Sequence, residues 1–134
     1  MDRKRRKKLN RELLGIGLLA GLLALTILAS FWMCRRHEDM ARQLDTAAAF
    51  AQAGEWEQAL LSADSARQRW EKGWHLAGLL ADHTPMEEID SQFAHLAVWG
   101  DARKDTEFAA AGAALARQLM AMADAHRLTW WNLL

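Results

Sequence analysis

Hydrophobic and polar residues follow two rules along this chain. From Leu13 to Cys34 (LLGIGLLAGLLALTILASFWMC) 22 consecutive residues carry no charge. A helix of that length, at ~1.5 Å rise per residue, spans roughly 33 Å, enough to cross the hydrocarbon core of a bilayer. Beyond Cys34 the apolar residues recur at helical spacing. Met40, Leu44, Ala47 and Ala51 mark one face of a helix over about 38–53, which can simply continue the apolar helix outward. Trp56, Leu60, Ala63, Trp70, Trp74 and Ala77 form a stripe over about 55–81, interrupted by Arg67. Met86, Ile89, Phe93 and Leu96 predict a third helix over about 85–99. Phe108, Leu115, Leu119 and Met122 predict a fourth over about 101–127, followed by an apolar ending, LTWWNLL. Strand-like alternation is missing.

Three breaks punctuate the pattern. Ala53-Gly54-Glu55 and Trp99-Gly100-Asp101 each place a glycine before an acid, 46 residues apart. Gly100 reads as a helix stop and Asp101 as the next N-cap. Asp82-His83-Thr84-Pro85 lies between them and holds the only proline. The expected architecture is all-α: one transmembrane helix, then a four-helix body of two antiparallel hairpins. Residues 47–60 (AAAFAQAGEWEQAL) resemble the turn of a tetratricopeptide repeat, but that repeat recurs every ~34 residues and a second good copy is missing, so convergent hairpin packing explains them.

Charge sharpens the division into a tail at 1–12, a span at 13–34 and a body at 35–134. The whole chain is formally neutral. Residues 1–12 hold seven basic and two acidic side chains, net +5; residues 35–134 hold ten basic and fifteen acidic, net −5. The apolar run is too long for a cleaved secretory signal, and Phe31-Trp32-Met33 are too bulky to precede a lipoprotein cysteine. An uncleaved cell-membrane anchor is expected. The basic tail then belongs in the cytoplasm and the body outside the cell, with the tail read as a topology signal rather than a nucleic-acid binder. Gly17-x-x-x-Gly21 offers a helix-association motif within the span. Cys34 is the single cysteine, so an intrachain disulfide is impossible; an inert buried thiol is expected ahead of an interchain bridge. The tryptophans 56, 70, 74, 99, 130 and 131 are expected in the core, each burying ~150–250 Å².

The candidate chemistry gathers in residues 70–90, WEKGWHLAGLLADHTPMEEID. Asp82, His83 and Asp90, with Trp70 and Trp74 as a platform, compose a possible ligand or metal site, because a carboxylate that orients a histidine prepares a base or a metal ligand. The same residues also make a joint. Thr84 at N-cap, Pro85 at N1 and Glu87 at N3 form a capping box, and His83 meets Glu88 across it. The joint is the stronger reading. No nucleophile stands in an activating motif, the five histidines lack zinc-motif spacing, and no phosphate-binding glycine loop occurs. No catalytic residue, cofactor or metal ligand is assigned.

Glu55-Trp56, the pair Trp70 and Trp74 before Asp82-His83, Ile89-Asp90 and the ending Trp131-Asn132-Leu133 resemble the small bitopic membrane proteins of the family called domain of unknown function 4363. The resemblance covers nearly the whole chain. It implies a membrane-anchored helical protein of a Gram-positive, often spore-forming bacterium, and it carries no assigned activity. The expected function is therefore non-enzymatic: an interaction or scaffold module of the envelope or of sporulation. Its expected partners are the lipid bilayer and a protein or a second copy, with no nucleic acid.

Overall fold

The computed structural model describes the backbone of residues 2–77 and 84–131, and the side chains of residues 10–73, 86–125 and 127. Four helices and no strand occur among them: α1 (Asp2–Gln52), α2 (Trp56–Ala77), α3 (Thr84–Asp101) and α4 (Asp105–Trp131). The all-α expectation holds. The helix expected at about 38–53 is the last part of α1 rather than a separate element. The chain divides into two compact units, Met1–Met33 and Cys34–Leu134.

In the first unit, Leu13, Leu14, Ile16, Leu18, Leu19, Leu22, Leu23, Leu25 and Leu28 all point outward, each more than half exposed. One hydroxyl lies among them. Thr26 returns its Oγ1 hydrogen to the Leu22 carbonyl oxygen at 2.7 Å, which satisfies it inside the helix. This helix is long and apolar enough to cross a membrane.

The second unit is a helical body with its own core. Met40, Leu44, Ala47 and Ala51 of α1 are buried, and so are Met86, Ile89, Phe93 and Leu96 of α3 and Phe108, Leu115 and Leu119 of α4. On α2 the fully covered residues are Ala59, Ala66 and Trp70, while Trp56, Leu60 and Ala63 pack on the core from its margin. Side-chain hydrogen bonds link the helices of the body. Gln43 meets Ser65, Trp70 meets Asp90, Gln92 meets Gln118, and Cys34 meets Ala123. Every polar link of this set ties two different helices, so helix order is fixed by hydrogen bonds as well as by apolar fit.

The two turns among the described residues use the same hydrogen-bond pattern. At the end of α1 the Glu55 N–H reaches the Phe50 carbonyl (2.9 Å) and the Gly54 N–H reaches that of Ala51 (3.0 Å). At the end of α3 the Lys104 N–H reaches Trp99 and the Arg103 N–H reaches Gly100, both at 3.1 Å. This is the paired 6→1 and 5→2 closure that satisfies a helix C-terminus through one left-handed residue. Gly54 fills that position at φ 78°, as expected. Arg103 fills it at φ 49°. The next residue in each turn starts the following helix: the Glu55 carbonyl accepts from Ala59 and the Lys104 carbonyl from Phe108.

Two expectations are corrected here. Gly100 is not a helix stop, and Asp101 is the last residue of α3 rather than the N-cap of α4. Gly100 is buried inside α3, where a Cβ would stand 2.7 Å from Leu60 Cδ2 and 3.2 Å from Phe108 Cε2. A larger residue there would have to displace Leu60 and press on Phe108. Trp99, expected in the core, is 37% exposed, since Gly100 takes the inward slot and the neighbouring position is turned away.

The corrected turn reveals a recurrence. Gly54 and Arg103 are 49 residues apart. The same offset relates His37 to Met86, Met40 to Ile89, Leu44 to Phe93, Ala47 to Leu96 and Ala51 to Gly100. It also relates Ala59 to Phe108, Ala66 to Leu115 and Trp70 to Leu119. All sixteen residues are buried. Gln43 and Gln92 share the offset too, and each donates its Nε2 hydrogen to the following helix. The α1–α2 and α3–α4 halves of the body therefore share most of one inward pattern built from different side chains, broken at Ala41 with Asp90 and at Arg67 with Ala116.

Candidate functional site

Of the residues singled out from the sequence, the structure brings two together. Trp70 on α2 is 5% exposed, and its indole N–H donates to Asp90 Oδ1 on α3 at 2.7 Å. A buried indole must place its one hydrogen, and the carboxylate at the helix surface takes it. The His37 ring of α1 lies beside the same indole, centroids 6.3 Å apart and tilted by 53°. Met86 and Ile89 of α3 are covered in the same helix face as Asp90 is not. Around Trp70 the structure thus builds an aromatic corner where α1, α2 and α3 meet, pinned by one charge-assisted hydrogen bond.

Asp82 and His83 lie outside the described residues, as do the side chains of Trp74, Thr84 and Pro85. The α3 helix begins at Thr84, with Glu87 exposed in its first turn. An acid in that turn faces the positive end of the helix dipole. Among the described residues, no three His, Cys, Asp or Glu side chains gather as a metal-binding group. Cys34 is buried, and its Sγ–H points at the Ala123 carbonyl oxygen at 3.2 Å.

Sequence reasoning missed His37, which is 4% exposed at the start of the body. Its spacing to Met40 and Leu44 placed it on the inward face, but a histidine between arginine and glutamate reads as surface.

Two surface hollows lie on neighbouring sides of the body. Between α1 and α2 runs an open, polar one of about 530 Å³, lined by Asp39, Arg42, Gln43, Thr46, Leu61, Ser62, Ser65 and Arg69. Asp39 accepts from Arg42 and lies 3.9 Å from Arg69, while Arg36 donates to the Arg69 carbonyl oxygen. Leu61 stands in it 60% exposed. Between α2 and α3 lies a smaller cavity of about 210 Å³. Leu60, Ala63, Phe93, Leu96, Ala97 and Phe108 make its floor, and Asp64, Arg67 and Asp101 its rim. Consecutive positions on a helix point about 100° apart; here Leu60 floors one hollow and Leu61 projects into the other.

No protein-family model, curated protein or solved structure matches this chain.

Proposed function

We propose that this chain is a single-pass membrane protein whose helical body works by binding protein, either another copy of itself or an envelope or sporulation component, and carries out no reaction of its own. Its basic tail lies in the cytoplasm and its body outside the cell, as the surplus of Lys and Arg before the span requires. Membership in the domain of unknown function 4363 family belongs to the same proposal.

One observation carries this reading. The side chains of the apolar run are uncovered from Leu13 to Ala29, so the bilayer is the solvent that fits them, while the body beyond keeps a core of its own. The conspicuous residues of the body also have packing roles: Trp70 and Asp90 bond to each other, and Gln43 and Gln92 tie helix pairs.

Carbonate extraction and protease protection test the anchor and its orientation. The protein should stay in the membrane pellet, and the body should be cut only from outside the cell. Chemical crosslinking in native membranes tests the rest; a chain that crosslinks to nothing, itself included, refutes the interaction module. The rival reading, a ligand or metal module around Asp82 and His83, draws on the pairing of Trp70 with Asp90. It requires that His83→Ala lower bound metal or ligand with helicity unchanged. A loss of thermal stability alone supports the joint.

A further inference from the structure

We infer that the partner surface of this body is another copy of the same chain, joined head to tail, with Leu61 of one copy seated in the α2–α3 cavity of the next. The inference rests on the interaction reading above and names its partner.

The first argument is that the cavity is a departure from the recurrence. The 49-residue offset carries the α2–α3 seam onto the seam between α4 and α1. There Gly112 sits in place of Ala63, and a Cβ on it would meet the Leu44 carbonyl oxygen at 3.6 Å, Leu96 Cδ1 at 3.8 Å and Ala48 Cβ at 3.9 Å. At that point the seam is in contact. Its counterpart stands open over an apolar floor, large enough for a leucine side chain. A cavity open to water and lined by Leu60, Phe93 and Phe108 gains from an apolar guest.

Charge is the second argument. The rim carries Asp64 and Asp101, and Glu57 and Glu71 continue the acidic edge of α2 at seven-residue steps from Asp64. Arg67, the one base there, is held by Glu71 at 2.9 Å. The side that bears Leu61 leans the other way: Arg42 and Arg69 line it against Asp39, and Arg36 reaches the Arg69 carbonyl beside it. A projecting leucine beside two arginines meets an apolar hole with two carboxylates on its rim, and both belong to this chain.

The third argument is level. Leu61 and the cavity residues Leu60, Ala63 and Asp64 occupy the same turns of α2, so two bodies standing side by side and parallel bring guest and hole to one height. Copies inserted in one membrane share the same up–down sense. Because knob and hole are on different sides, the contact is heterologous and repeats. Neighbouring sides of a four-helix bundle differ by about a quarter turn, so repetition closes at roughly four copies.

The test uses the full chain in its native membrane, with a photo-crosslinking amino acid at position 61. Self-association through the cavity gives adducts of two and more chains, mapped to α3 near Ala97. An adduct with a different protein overturns the self-partner and leaves the interaction module standing; no adduct from position 61 or from general crosslinking overturns both. Energy transfer between labelled full-length copies in lipid vesicles supplies the second measurement. Leu61→Glu and the hole-filling Ala97→Phe should each weaken association about ten- to a hundredfold, the range for losing one buried leucine, with Leu61→Met near wild type. Undiminished transfer in both variants, or an association that stops at a symmetric dimer crosslinked 61 to 61, overturns the head-to-tail contact.

Discussion

Replacing Gly100 by alanine separates two explanations of a single glycine. In a helix stop the residue is left-handed, and alanine costs about 1 kcal/mol whatever its neighbours. In the structure Gly100 is helical and buried, and its difficulty is Leu60. A new Cβ would lie 2.7 Å from Leu60 Cδ2, so the leucine must retreat by roughly 0.7 Å or more to reach ordinary contact. Phe108 Cε2 at 3.2 Å gives way less easily, because Phe108 is buried. Overpacking of this kind costs about 1–3 kcal/mol, against which helix propensity returns about 0.5–1 kcal/mol. The net expectation for Gly100→Ala is a loss of about 1 kcal/mol, or about 4–8 °C in the melting temperature of a body this size. In a Leu60→Ala background the closest clash is gone and the approach to Phe108 at 3.2 Å remains against the propensity gain, so the same change should be close to neutral. The coupling between the two sites is then about 1 kcal/mol, which a double-mutant cycle resolves. Circular dichroism at 222 nm during thermal and urea unfolding of the full chain in mild detergent measures all four proteins. Equal losses from Gly100→Ala in both backgrounds would refute the packing account and restore the helix stop.

The remaining predictions use the same assay. Arg103→Gly should stabilise the body by about 0.5–1 kcal/mol, because it relieves the left-handed arginine at φ 49°, and Gly54→Ala should cost about 1 kcal/mol at φ 78°. Gly112→Ala should be neutral or stabilising, since its Cβ meets the Leu44 carbonyl at 3.6 Å, whereas Gly112→Leu should cost more than about 2 kcal/mol by forcing α1 and α4 apart. Trp70→Phe should cost about 1–3 kcal/mol through lost volume and a lost hydrogen bond, while Asp90→Asn, which keeps an acceptor for the indole, should cost under about 1 kcal/mol. A larger loss from Asp90→Asn than from Trp70→Phe would give Asp90 a role beyond holding the indole.

Large apolar residues made most of the body legible in the sequence. Met40 and Leu44, Met86, Ile89, Phe93 and Leu96, and Phe108, Leu115 and Leu119 face the core as their spacing foretells, because covering a wide apolar side chain gains most, although Leu61 and Trp99 stay exposed. Alanine carries less information. Ala59 and Ala66 are fully covered, yet an alanine is equally common on helix surfaces, and the larger Trp56 and Leu60 beside them drew the stripe to the margin. Glycine is ambiguous for a different reason. It serves a left-handed backbone at Gly54 and a close approach at Gly100, and only the neighbouring helix distinguishes the two. The true turn at Arg103 has no marker, because hydrogen bonds to Trp99 and Gly100 hold an arginine where glycine would rest unstrained. At the candidate site, Trp70 and Asp90 were named from the sequence, but their mutual bond follows from α2 and α3 running side by side, which no local pattern encodes.

The 49-residue recurrence has a consequence in time. The seam of residues 37–70 is the partner of a seam that does not exist until 49 further residues have been made. At ~5–20 residues per second of synthesis that interval is about 2–10 s, far longer than helices take to form. During it the newborn half offers Met40, Leu44 and Trp70 to whatever carries the same inward pattern, and the nearest such surface is the first half of another chain leaving a neighbouring ribosome. Crowded synthesis is thus the condition that would favour an exchange of halves between copies.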